Sequence, residues 1–168
     1  MKKLTIETDS KGNKFWKLNG VIHREDGPAI EYANGNQAWY KNGKKHRDDD
    51  LPAFIHKKGD MHWYKEGELH RENDLPAVVK ANGTKKWYQH GMVHRDDGKP
   101  AAELSNGNKK WYFQNKLHRL DGPAKTYVDG SNKWFINGVE FSQQEFDYIN
   151  LNKELPQKNE SSIKKVKL

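Results

Sequence analysis

Apolar residues rarely gather along this chain. Aromatic and aliphatic residues come in ones to threes within short, otherwise polar runs, as in NKKWYFQ (108–114), KLHR (116–119) and AKTYV (124–128), set between turn signals such as Asn-Gly, Asp-Gly and Pro-Ala. Short aromatic-rich runs between turn signals predict short strands, and no Pro-free stretch of this region has helical spacing. The run around each aromatic pair is expected to form one strand, the run after the following turn a second, and AVVK (77–80) or AKTYV a third.

The pattern repeats. Trp stands at 16, 39, 63, 87, 111 and 134, at steps of 23 or 24 residues, and nowhere else. His-Arg pairs begin at His23, His46, His70, His94 and His118, and Pro-Ala follows at Pro28, Pro52, Pro76, Pro100 and Pro123. A glycine lies four residues before each Trp, and another four after it, except that Asn115 stands where the second glycine is due. Asn is the residue that best replaces Gly at positive φ, so a backbone conformation repeats as well as a motif. Residues 12–141 therefore hold about five and a half copies of one unit. The expected fold is all-β: an elongated antiparallel meander of about six units. A coiled β-solenoid with one turn per unit would stack the Trp residues every ~4.8 Å. The paired hairpin turns favour the meander.

WYKNG (39–43), WYKEG (63–67), WYQHG (87–91) and WFING (134–138) carry a resemblance to MORN-type repeats. The likeness is closest to the divergent kind in bacterial, phage and giant-virus proteins, including antitoxins of the YwqK type. It covers residues 12–141 and departs from the usual consensus in its sparser glycines and its His-Arg-x-Asp element. It implies a β-ribbon that serves as a binding scaffold, some relatives being proposed to touch phospholipids and others to neutralise a partner protein.

The ribbon is expected to end at residue 141, where Phe141 replaces the His that is due. In FSQQEFDYI (141–149), Ser142 and Glu145 have capping-box spacing, and Phe141 and Phe146 fit a hydrophobic staple. A short capping helix is expected over 142–151, followed by a flexible basic tail over 152–168.

Composition changes this picture in one respect. Only 33% of residues are hydrophobic, the mean hydropathy is −1.16, and yet aromatics make up 11%. Disordered chains are poor in aromatics, so a thin fold with little interior reconciles the two. The net charge of +7 admits nucleic acid, an anionic surface or an acidic protein as partner. The absence of Cys, of an apolar membrane span and of a signal-peptide core in MKKLTIETDSKG points to the cytoplasm, that of the host if the chain is phage-encoded.

His94-Arg95-Asp96 spells the start of a kinase catalytic loop, but five copies of one catalytic loop serve no single reaction. No enzyme activity, metal site or cofactor is expected. Asp26, Asp49, Asn73, Asp97 and Asp121, three residues after each His, are expected to close Asx-turns and to receive the neighbouring Arg. Trp16, Trp39, Trp63, Trp87, Trp111 and Trp134 are expected to be structural, buried against Pro and aliphatic residues such as Val79 and Val128. The residue after each Trp points to the other face. Tyr40, Tyr64, Tyr88 and Tyr112, with Arg47, Arg71, Arg95 and Arg119, are the candidate partner-binding residues. The expected function is a non-enzymatic scaffold that binds and inhibits or sequesters a partner protein, as an antitoxin, anti-defence or host-takeover protein would. The alternative is a module for an anionic ligand (nucleic acid, nucleotide or phospholipid headgroup) held on rows of Lys, Arg and Tyr.

Overall fold

The computed structural model describes residues 3–154. Its main feature is one 14-stranded antiparallel sheet that runs from β1 (Leu4–Thr8) and β2 (Lys14–Leu18) to the strands Asn132–Ile136 and Val139–Phe141. Neighbouring strands follow chain order, so the sheet is the expected meander. At ~4.8 Å per strand it extends for about 60 Å.

Each interior unit gives two short strands to this sheet and then loops out a two-stranded hairpin, such as Tyr88–Gln89 with Met92–Val93. The single strand expected over 108–114 is thus divided. Lys109–Lys110 belongs to the main sheet and Tyr112–Phe113 to a side hairpin. The division falls on the Trp. Its N–H reaches the Ala carbonyl of the following Pro-Ala at 2.8–2.9 Å, and its carbonyl accepts from the N–H of the following His at 3.0–3.2 Å in five units. One residue therefore changes the pairing partner of the strand, which bends there.

The glycine turns fall into two classes. Asn19-Gly20, Asn42-Gly43 and Asn137-Gly138 have positive φ at both residues, the type I′ geometry that Asn-Gly predicts. Glu66, His90 and Gln114 adopt the same left-handed conformation, with φ of 51°, 47° and 47°. In the other class only the glycine is left-handed, as at Gly35. There Gly35 N–H bonds to Tyr32 O and Tyr32 N–H to Asn36 O, closing a three-residue loop with a bulge.

Adjacent units are also laced at these turns. The side chain just after the bulge glycine accepts the N–H of a turn residue in the next unit: Asn13 from Ala33, Asn36 from Lys57, Asp60 from Ala81, Thr84 from Ser105 and Asn108 from Val128, at 2.9–3.1 Å. This series was open to sequence reasoning, since a short polar acceptor follows each of these glycines.

The core is a thin line rather than a centre. Ala29, Ala53, Ala77, Ala101 and Ala124 are fully buried, because each lies where a Trp backbone closes on it. Trp63, Trp87 and Trp111 are buried beside them, whereas Trp16, Trp39 and Trp134 are half-buried. The expected packing of Trp against Val128 does not occur. Val128 is 70% exposed on a turn, and what covers Trp16, Trp39, Trp63, Trp87 and Trp111 is an Arg side chain.

The helix α1 (Gln143–Glu154) closes the C-terminal end, starting one residue later and ending three residues later than expected. Ser142 is its N-cap, its hydroxyl accepting Glu145 N–H at 3.2 Å while the Glu145 carboxylate accepts Ser142 N–H at 2.8 Å. Phe146 is buried under it, and α1 packs on the last two strands. Of the tail expected over 152–168, residues 155–168 lie outside the described residues.

Candidate functional site

The His-Arg loops form a row along the ribbon, and each loop is held by the same atoms. Each Arg guanidinium stacks over the Trp of its own unit, 3.8–4.4 Å from the ring centroid in all five cases. It also donates to the carbonyl of the loop's Pro at 3.2–3.4 Å. Arg47, Arg71, Arg95 and Arg119 are therefore half-buried and occupied within the fold. Their stems shield the indole, and the cation gains from the ring face.

Each His is equally committed. Its Nδ1 accepts a backbone N–H from the type I′ turn of the next unit: His23 from Asn42, His46 from Glu66, His70 from His90, His94 from Gln114 and His118 from Asn137, at 3.0–3.4 Å. An accepting Nδ1 places the proton of the neutral ring on Nε2. That nitrogen points to the carboxylate two residues on, at 2.9 Å for His46–Asp48 and His94–Asp96. His70 Nε2 lies 3.0 Å from Glu72 but out of line for a hydrogen bond, and His23 Nε2 lies 3.5 Å from Glu25.

Loop length decides what happens between units. From His to Pro the loops at 46–52, 70–76 and 94–100 are one residue longer than those at 23–28 and 118–123. In the longer loops the third residue after His, together with the fourth, is left-handed: Asp49-Asp50, Asn73-Asp74 and Asp97-Gly98. The expected Asx-turn is replaced there by this backbone turn. Its fourth residue presents a carbonyl to the next unit's indole, so that Trp63, Trp87 and Trp111 donate Nε1–H to Asp50, Asp74 and Gly98 at 2.7–2.9 Å. The same turn aims Asp50 and Asp74 at the next Arg in bidentate pairs, Arg71–Asp50 at 2.8 Å for both bonds and Arg95–Asp74 at 2.6 and 3.0 Å. Arg95 and Lys99 together hold the Asp74 carboxyl down to about 2.

In the shorter loops the Arg instead pairs inside its own unit, Arg24 with Asp26 and Arg119 with Asp121, as expected. It then lies across the loop glycine. A Cβ on Gly27 would meet the Arg24 guanidinium at 2.9 Å, so a larger residue there would push the guanidinium from its place over Trp16. The shorter loop at 23–28 leaves Trp39 half-covered, and the groove beside it, about 670 Å³, is larger than the grooves of about 230 Å³ beside the longer loops.

The sheet face bearing Tyr is chemically different. Cα partners run in one register row through Ile30, Ala38, Phe54, His62, Val78, Lys86, Ala102, Lys110, Lys125 and Lys133. Directly opposed residues share a face. Tyr64 joins this face, with its ring 6.5 Å from His62 and under Lys45 Nζ at 4.9 Å. Tyr40, Tyr64, Tyr88 and Tyr112 are half-buried rather than freely exposed, and burial pushes their phenols above the usual value. Three of them also feel a neighbouring phenol, Tyr40 those of Tyr32 and Tyr64, Tyr64 and Tyr112 that of Tyr88. The four thus form a continuous row.

Lys86, Lys110 and Lys125 form no ion pair among the described residues, and Lys125 lies over the Phe135 ring at 4.8 Å. The carboxylates gather elsewhere, on the His-Arg loops: Glu25, Asp26, Asp48, Asp50, Glu72, Asp96 and Asp121. Charges that alternate along the chain are thus partly sorted in space: the middle of the Tyr-Lys face is cationic, while at its ends Glu7 continues the row through Phe15 and Glu140 pairs with Lys133 at 2.9 Å. No group of three His, Asp or Glu side chains among the described residues is placed to hold a metal, and no described helix is long and apolar enough to cross a membrane. Compared with known protein families and with curated proteins, the chain matches no family model and no curated sequence.

Proposed function

We propose that the protein is a non-enzymatic, MORN-like repeat scaffold that binds a partner protein and sequesters or inhibits it, as antitoxins and anti-defence proteins do. The observation that supports this reading is the sorted Tyr-Lys face. Half-buried rings held by a rigid sheet present contact area with little side-chain entropy left to lose. Lysines without carboxylate partners suit an acidic surface on the partner. The Arg row, engaged with Trp and Pro carbonyls, belongs to the scaffold rather than to the contact. The His-Arg pairs hold units together, which suits a binding array and gives no single-copy chemistry.

The uncompensated lysines also favour a second reading, a single-stranded nucleic acid lying along Lys86, Lys110 and Lys125 with bases on Tyr88 and Tyr112. Salt separates the two. Affinity that falls linearly in log–log form with salt, with nucleotides recovered, indicates nucleic acid. Capture of a protein that survives added salt indicates the first reading. In either case Tyr64→Ser with Tyr88→Ser should lower affinity about tenfold or more, with melting changed far less than by loss of a Trp. Unchanged affinity would remove the face from the interaction.

A further inference from the structure

The main sheet has two ends. At one of them α1 packs on the last strands. At the other, no strand pairs with the outer edge of β1 among the described residues. Asn19 N–H donates to Lys3 O at 2.8 Å, and Lys3 N–H to Asn19 Oδ1 at 2.9 Å, so the backbone groups of Lys3 point into the sheet. By strand alternation those of Thr5 and Glu7 also point inward, and those of Leu4, Ile6 and Thr8 point out. Leu4 and Ile6 are 61% and 59% exposed, on the face they share with Leu18 and Trp16. An open edge of this kind is normally blunted by Pro, a bulge or an unmatched charge.

The sequence of that edge is self-complementary. In Lys3-Leu4-Thr5-Ile6-Glu7, a two-fold axis through Thr5 sets Leu4 opposite Ile6 and Lys3 opposite Glu7. We propose that β1 pairs antiparallel with β1 of a second copy in this register, joining two ribbons into one continuous sheet. The parity agrees with the backbone. Leu4 and Ile6, whose groups point outward, become the hydrogen-bonded pairs and exchange two bonds on each side of the axis. Thr5, whose groups point inward, becomes the non-hydrogen-bonded pair on the axis, with Cα atoms ~4.5 Å apart. Lys3, which alone would discourage a second strand, is matched by Glu7, already 2.6 Å from Lys17 on the same face. A two-fold contact uses both open edges, so assembly stops at the dimer.

Sedimentation and small-angle scattering of the full chain over a range of concentrations test this. The expected result is a particle of two 19.6 kDa chains at high concentration, with about twice the length of the monomer. Ile6→Pro removes an outward N–H without touching the pairing to β2, and should leave a folded monomer. Glu7→Lys should weaken the dimer about tenfold, and adding Lys3→Glu should restore it, because the swap recreates both charge pairs. The protein has no Cys, so Thr5→Cys should form a disulfide-linked dimer under mild oxidation while Thr8→Cys stays reduced. A wild-type chain that stays monomeric at all concentrations overturns the proposal. So does a dimer that Ile6→Pro leaves intact, and one indifferent to the charge swap overturns the register.

Discussion

At the scale of single residues, reactive side chains here hold backbone in place. His94 is an acceptor for Gln114 N–H in the next unit, so its usefulness lies in a lone pair at a fixed position. His94→Ala should leave that amide without its partner and cost on the order of 1–3 kcal/mol, read from urea unfolding. A loss near zero would mean that water replaces the imidazole freely. Trp87 combines three roles: strand pivot, platform for Arg95 and donor to Asp74 O. Trp87→Ala should cost about 3–5 kcal/mol. These roles are partly legible in the sequence, because His, Arg and Trp recur in strict register. The partner of each in the neighbouring unit was not legible, since it lies 13–21 residues away.

At the scale of elements, the loop between His and Pro is the variable part, and its length sets how tightly units join. The longer loop reaches the next indole and, where its fourth residue is Asp50 or Asp74, the next Arg, whereas the shorter one folds its Arg back on itself. Deleting Lys99 turns HRDDGKPA into the shorter kind. The Trp111 indole N–H should then lose the Gly98 carbonyl and exchange with solvent faster in hydrogen-exchange NMR, with lower stability. Protection unchanged from the wild type would show that length does not govern this contact. The difference in length stands in the sequence, but its meaning required the left-handed turn at Asp97-Gly98 to be seen pointing its carbonyl at Trp111.

At the scale of the whole molecule, stability comes from repeated joints between neighbours and not from a central core. Acid should therefore loosen many joints together. Asp74 is held at about 2 by Arg95 and then Lys99, and Glu72 at about 2 by Lys65 and then His70. A carboxyl lowered by folding contributes stability that is complete above its ordinary value of 3.8 or 4.5 and is lost as pH falls towards 2. Melting temperature should drop through that window, and Asp74→Asn should flatten part of the drop while lowering stability at neutral pH. Glu72 is solvated, so its share should be smaller. An unchanged pH profile in Asp74→Asn would show that the Asp74–Arg95 joint carries little of the acid sensitivity.

The sequence by itself determined the repeat, the antiparallel meander, the cap at Ser142 and the structural part played by Trp. All of these rest on local chemistry: turn residues, alternation and helix capping act between residues close in the chain. Only the tertiary structure decided that the strand changes partner at each Trp, that Arg and His are spent on joints, and that Tyr shares a face with Lys86, Lys110 and Lys125, which form no ion pair among the described residues. Those outcomes depend on register between strands and on contacts one unit apart. A register row such as Lys86, Ala102, Lys110 and Lys125 collects residues that are scattered along the chain, and only hydrogen-bonded pairing between strands brings them together.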